Sequence, residues 1–203
     1  MIRLLLSALM LTAPILQAGL ESLPIIRLQD GKVTPTALHS ETRYLALYFS
    51  ASWCGPCRAS TPALVKEYER MQQRGDRKVE ILLVGDDRSE QAMLDYMQHY
   101  KMPWPAVTWQ ARQQVERYAE GGIPQLTLVE LSTGKVVARG SGSSGDGSIE
   151  SVVARIRELH GDTSGEAFRT ESILGRYRLL IAVVASVLVI LLITRMRKKH
   201  IPH

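Results

Sequence analysis

The fold is decided by a stretch that begins with Tyr44-Leu45-Ala46-Leu47-Tyr48-Phe49 and ends with Trp53-Cys54-Gly55-Pro56-Cys57. The first part is an apolar run typical of a buried strand, and the residues from Arg58 onward have the pattern of a helix. Cys54 is therefore predicted to lie at the N-terminus of that helix. Unpaired N–H groups and the positive end of the helix dipole favour a thiolate over a thiol at this position.

Cys54 and Cys57 are the only cysteines among the 203 residues of the chain. A thiolate at Cys54 can attack a disulfide, and Cys57 can then displace the attacked partner and close a Cys54–Cys57 disulfide. The alternatives are an inert structural disulfide and half of a metal site. A structural zinc site needs more ligands than one cysteine pair supplies, and the five histidines are scattered along the chain. We therefore predict a redox-active pair, with no metal and no cofactor.

The N-terminal segment has the pattern of a secretory signal peptide. A short basic start, Met1-Ile2-Arg3, is followed by an apolar run over residues 4–16 and then by Gln17-Ala18-Gly19. Cleavage is expected after Ala18, so residues 1–18 are predicted to be the signal peptide. An uncleaved membrane anchor is the alternative, but the apolar run is too short to span a bilayer comfortably.

A second apolar run, residues 179–194, contains sixteen residues without a charge. At about 1.5 Å per residue, such a helix covers most of the ~30 Å hydrocarbon core, and flanking arginines can snorkel to the interface. We predict a single transmembrane helix over 176–195, a polar tether over 162–175 before it, and a basic tail over 196–203 after it. The alternative is a buried core helix, which would show a polar stripe.

Charge sets the orientation that we predict. The heavier basic cluster follows the anchor, at Arg195, Arg197, Lys198 and Lys199. Such clusters stay in the cytoplasm, so the tail is predicted to be cytoplasmic and the preceding domain to be periplasmic or otherwise extracytoplasmic. Without Arg3 and the six basic residues that flank the anchor, 18 of the 25 Lys and Arg residues remain against 20 acidic residues. The exported part is thus near neutral, and nucleic-acid binding is not expected.

Residues 20–161 have the length of one ordinary domain, in which predicted strands alternate with helices. Strands are predicted at 25–28, 32–33, 44–49, 79–84, 125–130 and 135–139. One helix is predicted to begin after Cys57, and a second helix is predicted to end at Tyr100. Two more helices are predicted over 111–119 and over 149–159. Asp30-Gly31 has the composition of a tight hairpin turn, and Asp87-Arg88-Ser89-Glu90 has the spacing of a helix cap.

This order of elements resembles the thioredoxin superfamily. Trp53-Cys54-Gly55-Pro56-Cys57 is similar to the thioredoxin active-site motif, Pro62 matches that family's kinking proline, and Ile123-Pro124 matches its cis-proline loop. The resemblance spans residues 24 to about 160. It implies an α/β thioredoxin fold, with a central mixed β-sheet flanked by helices, and a cis peptide bond before Pro124. To this fold the predicted single transmembrane helix would be added.

Within the superfamily, residues 48–54 and 102–105 look most like the tryparedoxin and nucleoredoxin branch. Pro124 lies 70 residues after Cys54, a longer spacing than in a minimal thioredoxin. One position departs from thioredoxin, which carries a buried aspartate where this chain has Tyr48. A tyrosine with a pKa near ~10 is a poor base at neutral pH, so no side chain is assigned as proton acceptor for Cys57, and water is the default.

The resemblance implies a thiol–disulfide oxidoreductase that acts on disulfide-bearing proteins, and the predicted anchor would tether it to the membrane. Cys54 and Cys57 would be catalytic, and backbone groups beside Pro124 would pair with the substrate chain. Three residues of the cysteine motif would support the active site: Trp53, Gly55 and Pro56. Ile123 would support it from the cis-proline loop. Trp53 and Trp104 would form apolar ground around the sulfurs, with simple packing as the alternative for Trp104.

The dipeptide between the cysteines favours the reductase direction, because Gly55-Pro56 matches that of thioredoxin. A reducing pair in an oxidising compartment must be recharged, so a transmembrane thiol electron donor is the expected partner. The rival hypothesis is a thioredoxin-like adaptor that binds a partner at the membrane without redox turnover. The intact motif around the cysteines argues against it, since a retired site has no physical need for those residues.

Overall fold

A mixed β-sheet organises the computed structural model, which describes residues 19–142 and 147–161. Seven strands form this sheet within the described residues: β1 (Ile25–Gln29), β2 (Lys32–Thr36), β3 (Tyr44–Ser50), β4 (Val79–Gly85), β5 (Ala106–Val107), β6 (Gln125–Glu130) and β7 (Val136–Ser141). The helices are α1 (Gly55–Gln73), α2 (Glu90–His99) and α3 (Ile149–Leu159), with short 3-10 helices at Leu20–Ser22 and Arg112–Tyr118.

The strand order is β2-β1-β5-β4-β3-β6-β7. β3 runs parallel to β4 and antiparallel to β6, and β4 runs parallel to β5. The remaining neighbours pair antiparallel. The predicted mixed sheet flanked by helices is therefore confirmed, and the strand that leads to the cysteines lies near its centre.

Both faces of β3 are buried, which explains its continuous apolar sequence. Leu45, Leu47 and Phe49 belong to a core on one face, which also contains Val115 and Tyr118 of the second 3-10 helix. Tyr48 lies on the opposite face, where its hydroxyl group contacts Cys57 and Thr61 of α1. The chain leaving β3 therefore turns directly into a helix packed against that same strand.

Helix α1 begins and ends where the sequence signals predict. Cys54 is its N-cap, and Pro56 lies in the first turn, where a missing N–H costs nothing. Pro62 lies inside the helix, as predicted. Gly75 follows the last turn with φ 70°, and its N–H donates to the Gln72 carbonyl at 3.0 Å. A left-handed residue at this position is the usual way to end a helix.

The loops depart from the sequence prediction at several points. Asp30 and Gly31 have φ angles of 49° and 73°, so the predicted hairpin turn is confirmed, but β2 extends to Thr36. Strand β5 was not predicted, because two residues beside a proline show no periodicity. The segment predicted as a helix over 111–119 forms a 3-10 helix, Arg112–Tyr118.

Several predicted segments lie outside the described residues: the signal peptide (1–18), the tether (162–175), the transmembrane helix (176–195) and the tail (196–203). Within the described ranges, no helix combines the length and apolar composition needed to cross a bilayer. The contacts between residues divide the described part of the chain into two units, with the boundary after Val152. Of the second unit the structure describes residues 153–161, which are the later part of α3 and the two residues after it.

Candidate active site

Cys54 and Cys57 form a disulfide at the start of α1. The strand before them ends at Ser50, a short turn follows, and the helix begins at Gly55. The Cys54 sulfur accepts a hydrogen bond from the backbone N–H of Cys57, with an N···S distance of 3.1 Å. In the reduced protein this N–H would face a Cys54 thiolate, which is the form that attacks a disulfide.

The two sulfurs differ little in exposure while they are bonded to each other. Cys54 is 4% exposed and Cys57 is 0% exposed. In the oxidised protein both cysteines are therefore shielded from solvent, and Cys54 is the slightly more exposed of the two. The catalytic roles of the two cysteines therefore stay predictions, supported by the N-cap position of Cys54 and the N–H directed at its sulfur.

The exposed surface beside the two cysteines is formed by Trp53, Gly55 and Pro56. The Trp53 side chain is 56% exposed, and its indole N–H donates to the backbone carbonyl of Asp86 at 3.0 Å. An exposed indole held by such a bond offers a partner protein an apolar surface at low entropic cost. This geometry is compatible with the supporting role predicted for these three residues.

Ile123 and Pro124 lie beside the disulfide, although about 70 residues separate them from it in the chain. The peptide bond between them is cis, as the resemblance implied. Ile123 packs against Cys54 and Cys57, and its carbonyl oxygen lies 3.7 Å from the Cys54 sulfur. The Pro124 carbonyl accepts from the N–H of Gly142 at 3.2 Å, which joins this loop to the end of β7.

Gln125, which no sequence signal singled out, holds the loop before Pro124 in place. Its side-chain oxygen accepts from the Glu120 N–H at 2.8 Å, and its amide nitrogen donates to the Tyr118 carbonyl at 2.8 Å. Gln125 is 1% exposed, so these bonds are shielded from water. The loop that carries Ile123 is thus fastened to β6 at both of its ends.

Asp87 makes a second connection that the sequence did not reveal. It is 6% exposed, and one carboxylate oxygen accepts from the backbone N–H of Ser52 at 3.0 Å and from its hydroxyl at 2.6 Å. The N-cap of α2 is Ser89, whose hydroxyl accepts from the Ala92 N–H at 3.2 Å. Asp87 therefore does not cap the helix but fixes the turn that leads to Cys54.

Trp104 is buried in the core and offers no exposed surface beside the sulfurs. Its side chain is 0% exposed and makes edge-on ring contacts with Tyr48 and Tyr68, at centroid distances of 6.3 and 5.7 Å. The apolar ground predicted from Trp104 is therefore wrong, and the packing alternative is correct. The residue fills the space between β3 and α1, where a large apolar side chain stabilises the core.

Behind Cys57 lies a group of buried hydroxyls that we call the hydroxyl cluster: Tyr48, Ser50, Ser60, Thr61 and Tyr96. The Thr61 oxygen lies 3.0 Å from the Tyr48 hydroxyl and 2.6 Å from that of Tyr96. The Tyr96 hydroxyl in turn lies 3.0 Å from that of Ser50. The cluster links β3, α1 and α2 through bonds shielded from water, which are costly to leave unpaired.

The hydroxyl cluster also fixes the backbone of the second cysteine. The Cys57 carbonyl lies 2.8 Å from the Thr61 hydroxyl, 3.1 Å from that of Ser60 and 3.3 Å from that of Tyr48. Tyr48 stands where thioredoxins carry a buried aspartate, and its hydrogen bonds here go to this carbonyl and to neighbouring hydroxyls. Its place in the structure is that of a support for the first turn of α1.

Replacing Tyr96 by phenylalanine is expected to lower the free energy of unfolding by about 1–3 kcal/mol at neutral pH, because buried hydroxyls of Ser50 and Thr61 lose a partner. Burial raises the pKa of Tyr96 above the ordinary value of 10.0. The folded state thus holds the phenolic proton more tightly, a contribution complete below pH 10 and lost as the pH rises towards the raised value. Denaturation at several pH values should therefore show the difference between wild type and variant narrowing above pH 10. A difference that widens there would contradict the assignment.

Comparisons with known proteins agree with this geometry. A family model described as thioredoxin-like matches residues 42–136. Tryparedoxin from Trypanosoma brucei brucei is 34% identical over 113 residues, which cover 54% of this chain and 74% of the relative. Nucleoredoxin from Danio rerio is 36% identical over 121 residues, which cover 58% of this chain. The matched region is only 28% of that nucleoredoxin, so the chain spans little more than a quarter of its length.

A solved structure gives a similar result. The crystal structure of thioredoxin from Wuchereria bancrofti has a TM-score of 0.50 and 30% sequence identity to this chain. The alignment covers 60% of this chain and 84% of that one. Cys54, Cys57, the cis-proline loop and strands β3 to β6 all lie within residues 42–136, the part of the chain that the family model matches.

Proposed function

The chain belongs to the thioredoxin-like family, and we propose that it is a membrane-tethered thiol–disulfide oxidoreductase that reduces disulfides of extracytoplasmic proteins. One observation carries the redox part of the proposal. The Cys54–Cys57 disulfide lies at the N-terminus of α1, where the Cys57 N–H donates to the Cys54 sulfur at 3.1 Å. This arrangement stabilises a thiolate on one sulfur and keeps the second sulfur within reach of it.

The reaction proceeds by two exchanges at sulfur. In the reduced protein, the Cys54 thiolate attacks one sulfur of the substrate disulfide, whose S–S bond breaks as the mixed disulfide forms. The Cys57 thiol then loses its proton to water, and its thiolate attacks the Cys54 sulfur. The substrate leaves with both sulfurs as thiols once they are protonated. The substrate has gained two electrons, and the domain is left as the Cys54–Cys57 disulfide.

The dipeptide between the cysteines supports the direction of this exchange. Gly55-Pro56 matches thioredoxin, whose reduction potential is about −270 mV, whereas strong oxidants of the superfamily have potentials of about −120 mV. That gap corresponds to about 7 kcal/mol for a two-electron couple, which is ample to set the direction of exchange.

A reductase of this kind needs a partner that supplies electrons. The chain has no cysteine besides Cys54 and Cys57, so it cannot carry electrons through its own predicted anchor. We propose a transmembrane thiol relay as the donor. The hydropathy of residues 179–194 and the basic cluster after them support a tether with its tail in the cytoplasm.

Alkylation trapping in cells that make the protein tests this proposal. We expect the pair to be mostly reduced at steady state, and to become oxidised when the gene of the thiol relay is deleted. Purified full-length protein should also catalyse the reduction of insulin disulfides by dithiothreitol. If the pair is mostly oxidised in cells and no relay deletion changes it, the reductase direction is wrong. Failure to reduce insulin would instead favour the adaptor hypothesis.

A further inference from the structure

A cavity of about 300 Å³ lies beside the redox site and has no part in the chemistry described above. Six of its lining residues matter for what it can bind: Phe49, Val84, Asp86, Arg112, Glu116 and Ile123. Its volume is at the lower end of the range of ligand pockets, about 300–1,000 Å³. The cavity therefore suits one side chain of a partner better than a cofactor.

Two residues are shared between the cavity and the redox site. Ile123 lines the cavity and packs against Cys54 and Cys57. Asp86 lines the cavity and accepts the indole N–H of Trp53 through its backbone carbonyl. Because successive Cα atoms are about 3.8 Å apart, a substrate cysteine at Cys54 would place the side chain of a residue close to it at this cavity.

The lining combines an apolar base with charged groups. Phe49 and Val84 are 6% and 5% exposed and belong to the apolar core. Asp86 and Glu116 contribute two exposed carboxylates, whereas Arg112 is the only basic residue in the lining. The net charge of the lining is therefore negative.

The single positive charge is already engaged by the protein. The Arg112 guanidinium lies 3.8 Å from the centre of the Trp109 ring, and one of its nitrogens donates to the Trp109 carbonyl. These contacts with Trp109 reduce the attraction of the Arg112 guanidinium for an anionic ligand. A long aliphatic side chain with a cationic head complements this lining best, because its stem can contact Phe49 while its head approaches the carboxylates.

We propose that this cavity is a specificity subsite that receives a lysine or arginine close to the reactive cysteine of the substrate. This inference rests on the proposed function, since it names a feature of the proteins whose disulfides the chain would reduce. The loop at the rim is open to a substrate, because a Cβ atom added at Gly122 would meet nothing within 4 Å. Exposed carboxylates make the preference electrostatic, so it should weaken as salt is added.

Single-turnover kinetics with three synthetic peptides test the subsite. The peptides carry one cysteine as a mixed disulfide with thionitrobenzoate and differ only beside it, where they have lysine, norleucine or glutamate. Fully reduced full-length protein attacks the peptide sulfur and releases the coloured thiol. We expect the lysine peptide to react roughly 2- to 5-fold faster than the norleucine peptide at low salt, as exposed ion pairs allow, with the glutamate peptide slowest.

Charge reversal sharpens the test. Glu116→Lys should invert the order, so that the glutamate peptide reacts faster than the lysine peptide. Glu69→Lys is the matched control, since Glu69 is an exposed residue of α1 outside the cavity lining, and this variant should keep the wild-type order. Equal rates for the lysine and glutamate peptides, or an unchanged order in Glu116→Lys, would overturn the subsite while leaving the reductase intact. No release from any peptide would overturn the proposed function, and the subsite with it.

Discussion

Replacing Cys54 by serine is expected to lower the rate of disulfide reduction by more than about a thousandfold, because a neutral hydroxyl cannot replace a thiolate as nucleophile. Cys54 is the N-cap of α1, and the N–H of Cys57 donates to its sulfur. In the reduced protein these features favour a thiolate at Cys54. The measurement is reduction of a disulfide peptide, with iodoacetamide labelling of reduced wild type to identify the more reactive cysteine.

Cys57→Ser is the matched variant, because it changes the same atom type three residues along the chain. It should still attack substrate once but fail to release it, so that mixed disulfides through Cys54 accumulate. Mass spectrometry of the non-reduced product identifies the bonded cysteine. If Cys57 reacts with iodoacetamide first, or if Cys54→Ser is the variant that traps substrate, the assignment of roles is wrong. The proteins caught by Cys57→Ser would also identify the physiological substrates.

The central part of the site could be predicted from the sequence because its signals are local. An apolar run followed by two cysteines defines the strand, the turn and the helix N-terminus. The positive φ angles at Asp30 and Gly31 follow from the residue types themselves. The cis bond before Pro124 is a property of proline that the resemblance made specific.

The rest depends on contacts between residues distant in the chain. Ser50 and Tyr96 are 46 residues apart in the chain, and no periodicity in the sequence predicts the hydrogen bond between their hydroxyl groups. Asp87 lies two residues before Ser89, which is the N-cap of α2. Its sequence position therefore indicated helix capping and gave no sign of its bond to Ser52. The cavity beside the disulfide arises where three chain segments leave a space, and only the packed structure reveals such a space.

Gly140→Ala is expected to destabilise the protein by at least about 3 kcal/mol, near the upper end of the usual cost of overpacking. A Cβ atom at this position would lie 2.0 Å from the carbonyl oxygen of Ser148 and 2.4 Å from its carbonyl carbon. Both are backbone atoms, so no side-chain rotation can relieve the clash. Either β7 or the segment that enters α3 has to move.

Such a movement should also reach the redox site. Two residues beyond Gly140, the N–H of Gly142 donates to the Pro124 carbonyl at 3.2 Å, and the N–H of Ser141 donates to the Gly147 carbonyl at 2.7 Å. The end of β7 thus connects the segment before α3 to the cis-proline loop. We expect thermal unfolding of Gly140→Ala to begin at a lower temperature, and disulfide reduction to be slower even where the variant remains folded.

Gly122→Ala is the control for this prediction. It adds the same methyl group to the loop that carries Pro124, but there it would meet nothing within 4 Å, and Gly122 is not among the glycines with positive φ. Its unfolding temperature should stay close to that of wild type. If both variants unfold alike, the close approach of Gly140 to Ser148 does not constrain the fold. A Gly140→Ala variant that is destabilised yet reduces disulfides at the wild-type rate would show that β7 does not support the cis-proline loop.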